Sequence, residues 1–151
     1  MSSSDALYSE VKPDIEALAT PLFESSERFL KARNNFLPHG AVLTEQGEVT
    51  LVWGMPENDW TNSTEVLPVL HEALRQSARE GVRALALAEN VTITPEGGKT
   101  TDAIKVLFEH RQGLVVALYL PFKKRLLRGY EFGECFSVAA KPEVNAWSGR
   151  P

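Results

Sequence analysis

The chain carries a single cysteine, Cys135, and only two methionines and three histidines in 151 residues. A lone cysteine closes no internal disulfide, so the cross-linked framework of small secreted domains is excluded and a reducing, cytoplasmic setting is the expectation. Long apolar runs are also missing. The longest, Leu114 to Pro121, is far too short to cross a bilayer as a helix. The start, Met1-Ser2-Ser3-Ser4-Asp5-Ala6-Leu7-Tyr8, has neither the basic n-region nor the apolar core of a secretory signal. A soluble, unprocessed chain with no membrane partner follows as an expectation. A net charge of −4 disfavours nucleic acid as the main partner, because a polyanion is bound by a basic surface. Glu96-Gly97-Gly98-Lys99-Thr100 echoes the end of a phosphate loop, but it lacks the upstream glycine and joins two predicted strands, so it reads as a hairpin turn.

What is present is an ordinary folding composition, 43% hydrophobic and 24% charged, in a length suited to one core. Residues 1–151 are read as a single domain, with 1–12 and 141–151 as flexible or docking tails. Ile15, Leu18, Leu22, Phe29 and Leu30 recur at helical spacing, with Pro21 expected to kink that helix or split it in two. Two short apolar runs, Ala41 to Leu43 and Val49 to Trp53, flank a Gly-containing polar turn and predict a β-hairpin. Val66, Leu67, Leu70, Ala73, Leu74 and Ala78 form the stripe of a second helix, in which Pro68 fits only the first turn and Gly81 suits the C-cap. Beyond Gly81 the period turns to two. Residues 82 to 120 read as a three-stranded meander, with the alanine row Ala84, Ala86 and Ala88 placing its first strand centrally, beneath a helix. Gly129 and Gly133 mark a bent or bulged strand after it. The fold class is therefore α+β, an antiparallel sheet of about five or six strands with two main helices in the order α-β-β-α-β-β-β(-β).

That element order resembles the profilin-like and roadblock-like layouts, whose members bind proteins, peptides or small ligands. Two local stretches, Phe36-Leu37-Pro38-His39-Gly40-Ala41-Val42-Leu43 and Asp102-Ala103-Ile104-Lys105-Val106-Leu107-Phe108-Glu109-His110, resemble a family of small bacterial proteins that carry Phe-x-Pro-x-Gly-Ala-x-Leu and Asp-Ala-Ile-x-x-x-x-Glu-His. The resemblance implies a bacterial origin and no particular activity.

The candidate residues fall in three groups. His39, Asp102, Glu109 and His110 are the polar set for a pocket between helix and sheet. On a regular strand Glu109 and His110 point to opposite faces, while Asp102 and His110 share a face about 26 Å apart, at roughly 3.3 Å per residue. They therefore make a poor catalytic or metal constellation. Lys123, Lys124, Arg125 and Arg128, followed by Tyr130 and Phe132, form a basic and aromatic cluster that reads as a solvated loop or a contact for an acidic protein. Trp53, Met55 and Trp60 bracket a loop of interface-prone residues. His71 reads as a surface or cap residue. Cys135 reads as a buried structural cysteine, because the neighbouring Glu134 opposes a thiolate.

No metal, cofactor or catalytic residue is predicted. The pattern reads as a non-catalytic protein-interaction or regulatory module, with a protein partner or a second copy of the chain as the expected ligand. An immunity-type protein that neutralises a toxin is one concrete version. The alternative is a small-molecule sensor or enzyme using the His39, Asp102, Glu109 and His110 pocket.

Overall fold

The computed structural model describes residues 3–54, 63–127 and 129–147; Met55, Trp60 and Arg128 lie outside the described residues. The chain runs α1 (Ser3–Arg33), β1 (His39–Thr44), β2 (Val49–Val52), α2 (Ser63–Gly81), β3 (Val82–Ile93), β4 (Thr101–His110), β5 (Val115–Arg125), β6 (Gly129–Phe132) and β7 (Phe136–Ala139). All strand pairs are antiparallel, in the order β2-β1-β3-β4-β5-β6, with β7 also paired to β5. The layout is α+β with one seven-stranded sheet. The strand beyond the expected six arises because the stretch after Gly129 breaks in two. β6 pairs with Phe122 to Arg125 and β7 with Val116 to Tyr119, so both share one edge of β5.

Each face of the sheet has its own core. Ala41, Leu43, Ala84, Ala86, Ala88, Ile104, Val106 and Phe108 pack against Val11, Ile15, Leu18, Leu22 and Leu30 of α1. The opposite parity, Val42, Leu85 and Leu87, packs against Val66, Leu70, Leu74 and Ala78 of α2. The alanine row thus lies in the centre of the sheet under α1. Small side chains let the helix backbone come close there.

The two proline expectations are corrected. α1 runs unbroken through Pro13 and Pro21. Leu18 and Leu22, fully buried on either side of Pro21, both press on the same sheet face, and that burial outweighs the roughly 3 kcal/mol cost of an interior proline. Pro68 sits in the second turn of α2 rather than the first. The carbonyl it leaves without a partner belongs to Thr64, an exposed residue, where water can take the missing bond. Gly81, at φ +100°, turns α2 directly into β3.

Gly40 is needed for close approach. A Cβ there would stand 2.8 Å from the Ala86 carbonyl oxygen and 3.3 Å from the Leu74 methyls. After β7 the chain returns over the α2 side of the sheet, where Val144 is fully buried in the core. Among the described residues no helix is long and apolar enough to cross a membrane.

Candidate interaction surface

β2 is bonded to β1 along one edge, and the sheet path ends with it. The register Ala41↔Leu51 and Leu43↔Val49 puts Val49 and Leu51 on the α1 side, with Trp53 next in the same parity. α1, however, packs over β1, β3, β4 and β6. Val49, Leu51 and Trp53 consequently remain 39%, 42% and 51% exposed. An apolar ladder thus stands beside a strand edge with an outward row of backbone donors and acceptors.

Aromatic packing fixes the Trp53 end of this ladder. Its ring stacks on His39 at 5.1 Å between centroids and 19° between planes, and meets Phe29 edge-on at 6.0 Å. Phe29 and Phe36 each close on His39 edge-on at 5.7 Å. Beside the indole a cleft of about 40 Å³ is lined by Phe29, Arg33, Phe36, Pro38, Trp53 and Val66. That space is far below the several hundred Å³ of a typical small-molecule pocket.

His39 is held by both ring nitrogens. Nδ1 lies 2.9 Å from the Leu37 carbonyl oxygen, which can only accept, so Nδ1 carries the proton. Nε2, 2.7 Å from Ser25 Oγ, then accepts from the hydroxyl. Burial lowers the imidazole pKa, opposed by the Leu37 bond, and the ring is neutral at pH 7. Serine and histidine at this distance have the form of a nucleophile and its base. Both are buried, though, and Trp53 lies across the imidazole. The pair ties α1 to β1 inside the core.

The other polar candidates lie apart. His110 Nε2 is 3.0 Å from Asp14 Oδ2, and its Nδ1 accepts the Gln112 backbone N–H at 3.2 Å. Nε2 therefore carries the proton toward Asp14, which also accepts from Arg83 at 3.0 Å. Both nitrogens are engaged, so this carboxylate–imidazole pair joins α1 to the sheet. Glu109 faces the opposite side, where its carboxylate accepts the backbone N–H groups of Glu143, Val144 and Asn145 at 3.0, 2.8 and 2.8 Å. Asp102 is exposed at the far end of β4, 3.4 Å from Thr92 Oγ1. The four residues do not meet in one pocket. Among the described residues no group of three or more histidine, cysteine, aspartate or glutamate side chains could hold a metal ion.

Three further positions differ from expectation. Lys123, Lys124 and Arg125 are the end of β5 rather than a loop, because β6 pairs with them and Glu131 forms an ion pair with Arg125. Cys135 is exposed in the link between β6 and β7. The cover it does have holds its thiol pKa above the ordinary value. His71 is half-buried with Nε2 unpartnered, its pKa lowered by burial and by Arg75.

Sequence reasoning missed Ser25, Asp14 and Glu143. Ser25 and Asp14 sit at polar breaks in the apolar stripe of α1, which is a weak signal. The donors to Glu109 are backbone groups and leave none. No family model, curated protein or solved structure matches the chain.

Proposed function

We propose that the protein is a non-catalytic interaction module that engages a polypeptide partner along the β2 edge. The carrying observation is the exposed ladder Val49, Leu51 and Trp53 on the terminal strand of the sheet. An added strand would satisfy the outward backbone groups of β2, while the alternating side chains supply the apolar contact and the selectivity. β2 reads Val-Thr-Leu-Val, without the lysine or proline that commonly guards an edge. Trp53, held on one face by His39 and Phe29, loses little freedom on binding and suits the role of anchor.

A second copy of the chain is the simplest partner. Two β2 strands paired about a two-fold axis would form a closed, isologous contact and leave neither edge open. Light scattering across a concentration series should show a dimer, and Leu51→Lys should shift it to monomer with the circular dichroism of the fold unchanged. A heterologous partner would instead appear in a pull-down from the native host and be lost with Leu51→Lys. A strict monomer that recovers no partner, or binding unchanged by Leu51→Lys, would sink the reading.

A further inference from the structure

A different surface lies at the opposite edge of the sheet. The hairpin joining β5 to β6 projects past the last β4–β5 pair, Asp102↔Phe122, and continues through Lys123↔Glu131 and Arg125↔Gly129. At its tip Leu126 and Leu127 are 100% and 94% exposed. Two adjacent leucines in full contact with water forgo several kcal/mol of burial free energy, and no part of the described chain covers them.

Their surroundings are basic. Lys123, Lys124 and Arg125 lead into the tip and are all exposed. The last turn of α1 adds Lys31 at the same end of the molecule, where the Tyr130 hydroxyl of β6 donates to Asn34 at 3.1 Å; Arg33 of that turn instead lies over the Phe29 ring, toward the Trp53 cleft. Glu131 offsets Arg125 through their ion pair, and the remaining basic groups come from two separate elements. The rest of the chain is acidic enough to make the total −4. The molecule is therefore polarised, with a basic end that carries a protruding apolar point.

From this geometry we infer that the β5–β6 tip docks on an anionic lipid bilayer. Leu126 and Leu127 enter the headgroup–acyl boundary, while Lys123, Lys124 and Lys31 face lipid phosphates. A convex tip with two outward leucines needs a concave, apolar receptor on a protein partner, whereas a bilayer accepts it without a matching pocket. Charge asymmetry would orient the approach, since the acidic bulk is repelled by the surface that attracts the tip. The absence of a membrane-crossing helix bears on spanning and leaves such a peripheral contact open.

The test is co-sedimentation of the full chain with vesicles of phosphatidylcholine alone or mixed with phosphatidylserine. Binding to the mixed vesicles is expected, weakening in high salt. Lys124→Ala should weaken it about fivefold, from roughly 1 kcal/mol per basic residue near such a surface. Leu126→Ser combined with Leu127→Ser should weaken it more than about tenfold, with thermal unfolding unchanged because both side chains are already exposed. The inference is overturned if the mixed vesicles are not bound, if neutral vesicles bind equally, or if the double serine variant binds as well as the original. Loss of a protein contact in that variant without any vesicle binding would also overturn it. Leu51→Lys should leave vesicle binding unchanged, which separates this surface from the β2 edge.

Discussion

The two faces of the sheet are closed by different physics. On one side a single 31-residue helix lays a continuous apolar stripe over β1, β3 and β4. On the other α2 covers only β1 to β3, and an irregular segment, residues 141–147, adds its cover through the buried Val144 and a set of polar contacts to β4 and α2. Phe108 and Glu109 are adjacent in β4 and show the contrast. Phe108 is fully buried under α1, while Glu109 is equally hidden but spends its carboxylate on three backbone N–H groups. Lys105 pairs with Glu143 at 2.5 Å, and Arg75 donates to the Val144 carbonyl at 2.8 Å. An irregular chain cannot bond its own backbone, so it is buried only where side chains replace the missing partners.

Breaking the helical face should cost most. Phe108→Ala removes a large ring from the middle of the α1 core, and a loss of about 4 kcal/mol is expected from the transfer and cavity terms. Urea unfolding should show one cooperative transition at a lower midpoint with an unchanged slope, because the residue belongs to the unit that unfolds globally. A loss below about 1 kcal/mol would mean that α1 can settle into the space and that this face is less tightly packed than its burial suggests.

Breaking the polar face should cost less and do so locally. Glu109→Gln keeps the shape but removes the charge from three hydrogen bonds and sets an amide N–H₂ against backbone donors. About 3 kcal/mol is expected from bonds of this kind. Residues 141–147 should detach before the rest unfolds, so amide exchange at Glu143, Val144 and Asn145 should accelerate ahead of β3 and β4. If those amides exchange only with global unfolding in the variant, the two faces form one cooperative unit and the distinction fails.

This difference also sets what could be read from sequence. The apolar face announces itself through period: the α1 stripe, the alanine row of β3 and the alternation in β4 are legible because burial selects residue type at fixed spacing. Residues 141–151 read as a flexible or docking tail, but Glu109 could not be matched to them, since its partners are backbone groups that any residue supplies. Pro21 misled for a related reason, as its local cost is visible in sequence while the burial of Leu18 and Leu22 that offsets it is tertiary. In the candidate surface, Trp53 and its hairpin were legible. Its support by His39 and Ser25 was not, because the serine lies 14 positions before the histidine and meets it only once α1 is laid on β1.

The smallest effect concerns His39, a titratable group held in the interior of the apolar face. His39 is depressed by burial below its ordinary value of 6.5, despite its bond to Leu37. In the unfolded chain the imidazole takes up its proton near 6.5, whereas the folded chain does so only at lower pH. Between those values the unfolded state binds more protons, so stability falls as the pH drops below about 6.5 and levels off once the folded imidazole is also charged. Ser25→Ala removes the hydroxyl that Nε2 uses and should cost about 1.5 kcal/mol at neutral pH. Because His71 is also depressed and titrates in the same direction, the informative quantity is the difference between the original chain and His39→Gln. Chemical denaturation from pH 7.5 to 5 should show a weaker pH dependence in His39→Gln, by the share that His39 contributes. Parallel curves for the two would mean that His39 keeps its ordinary titration in the fold, and that Trp53, Phe29 and Phe36 seal it less completely than their packing implies.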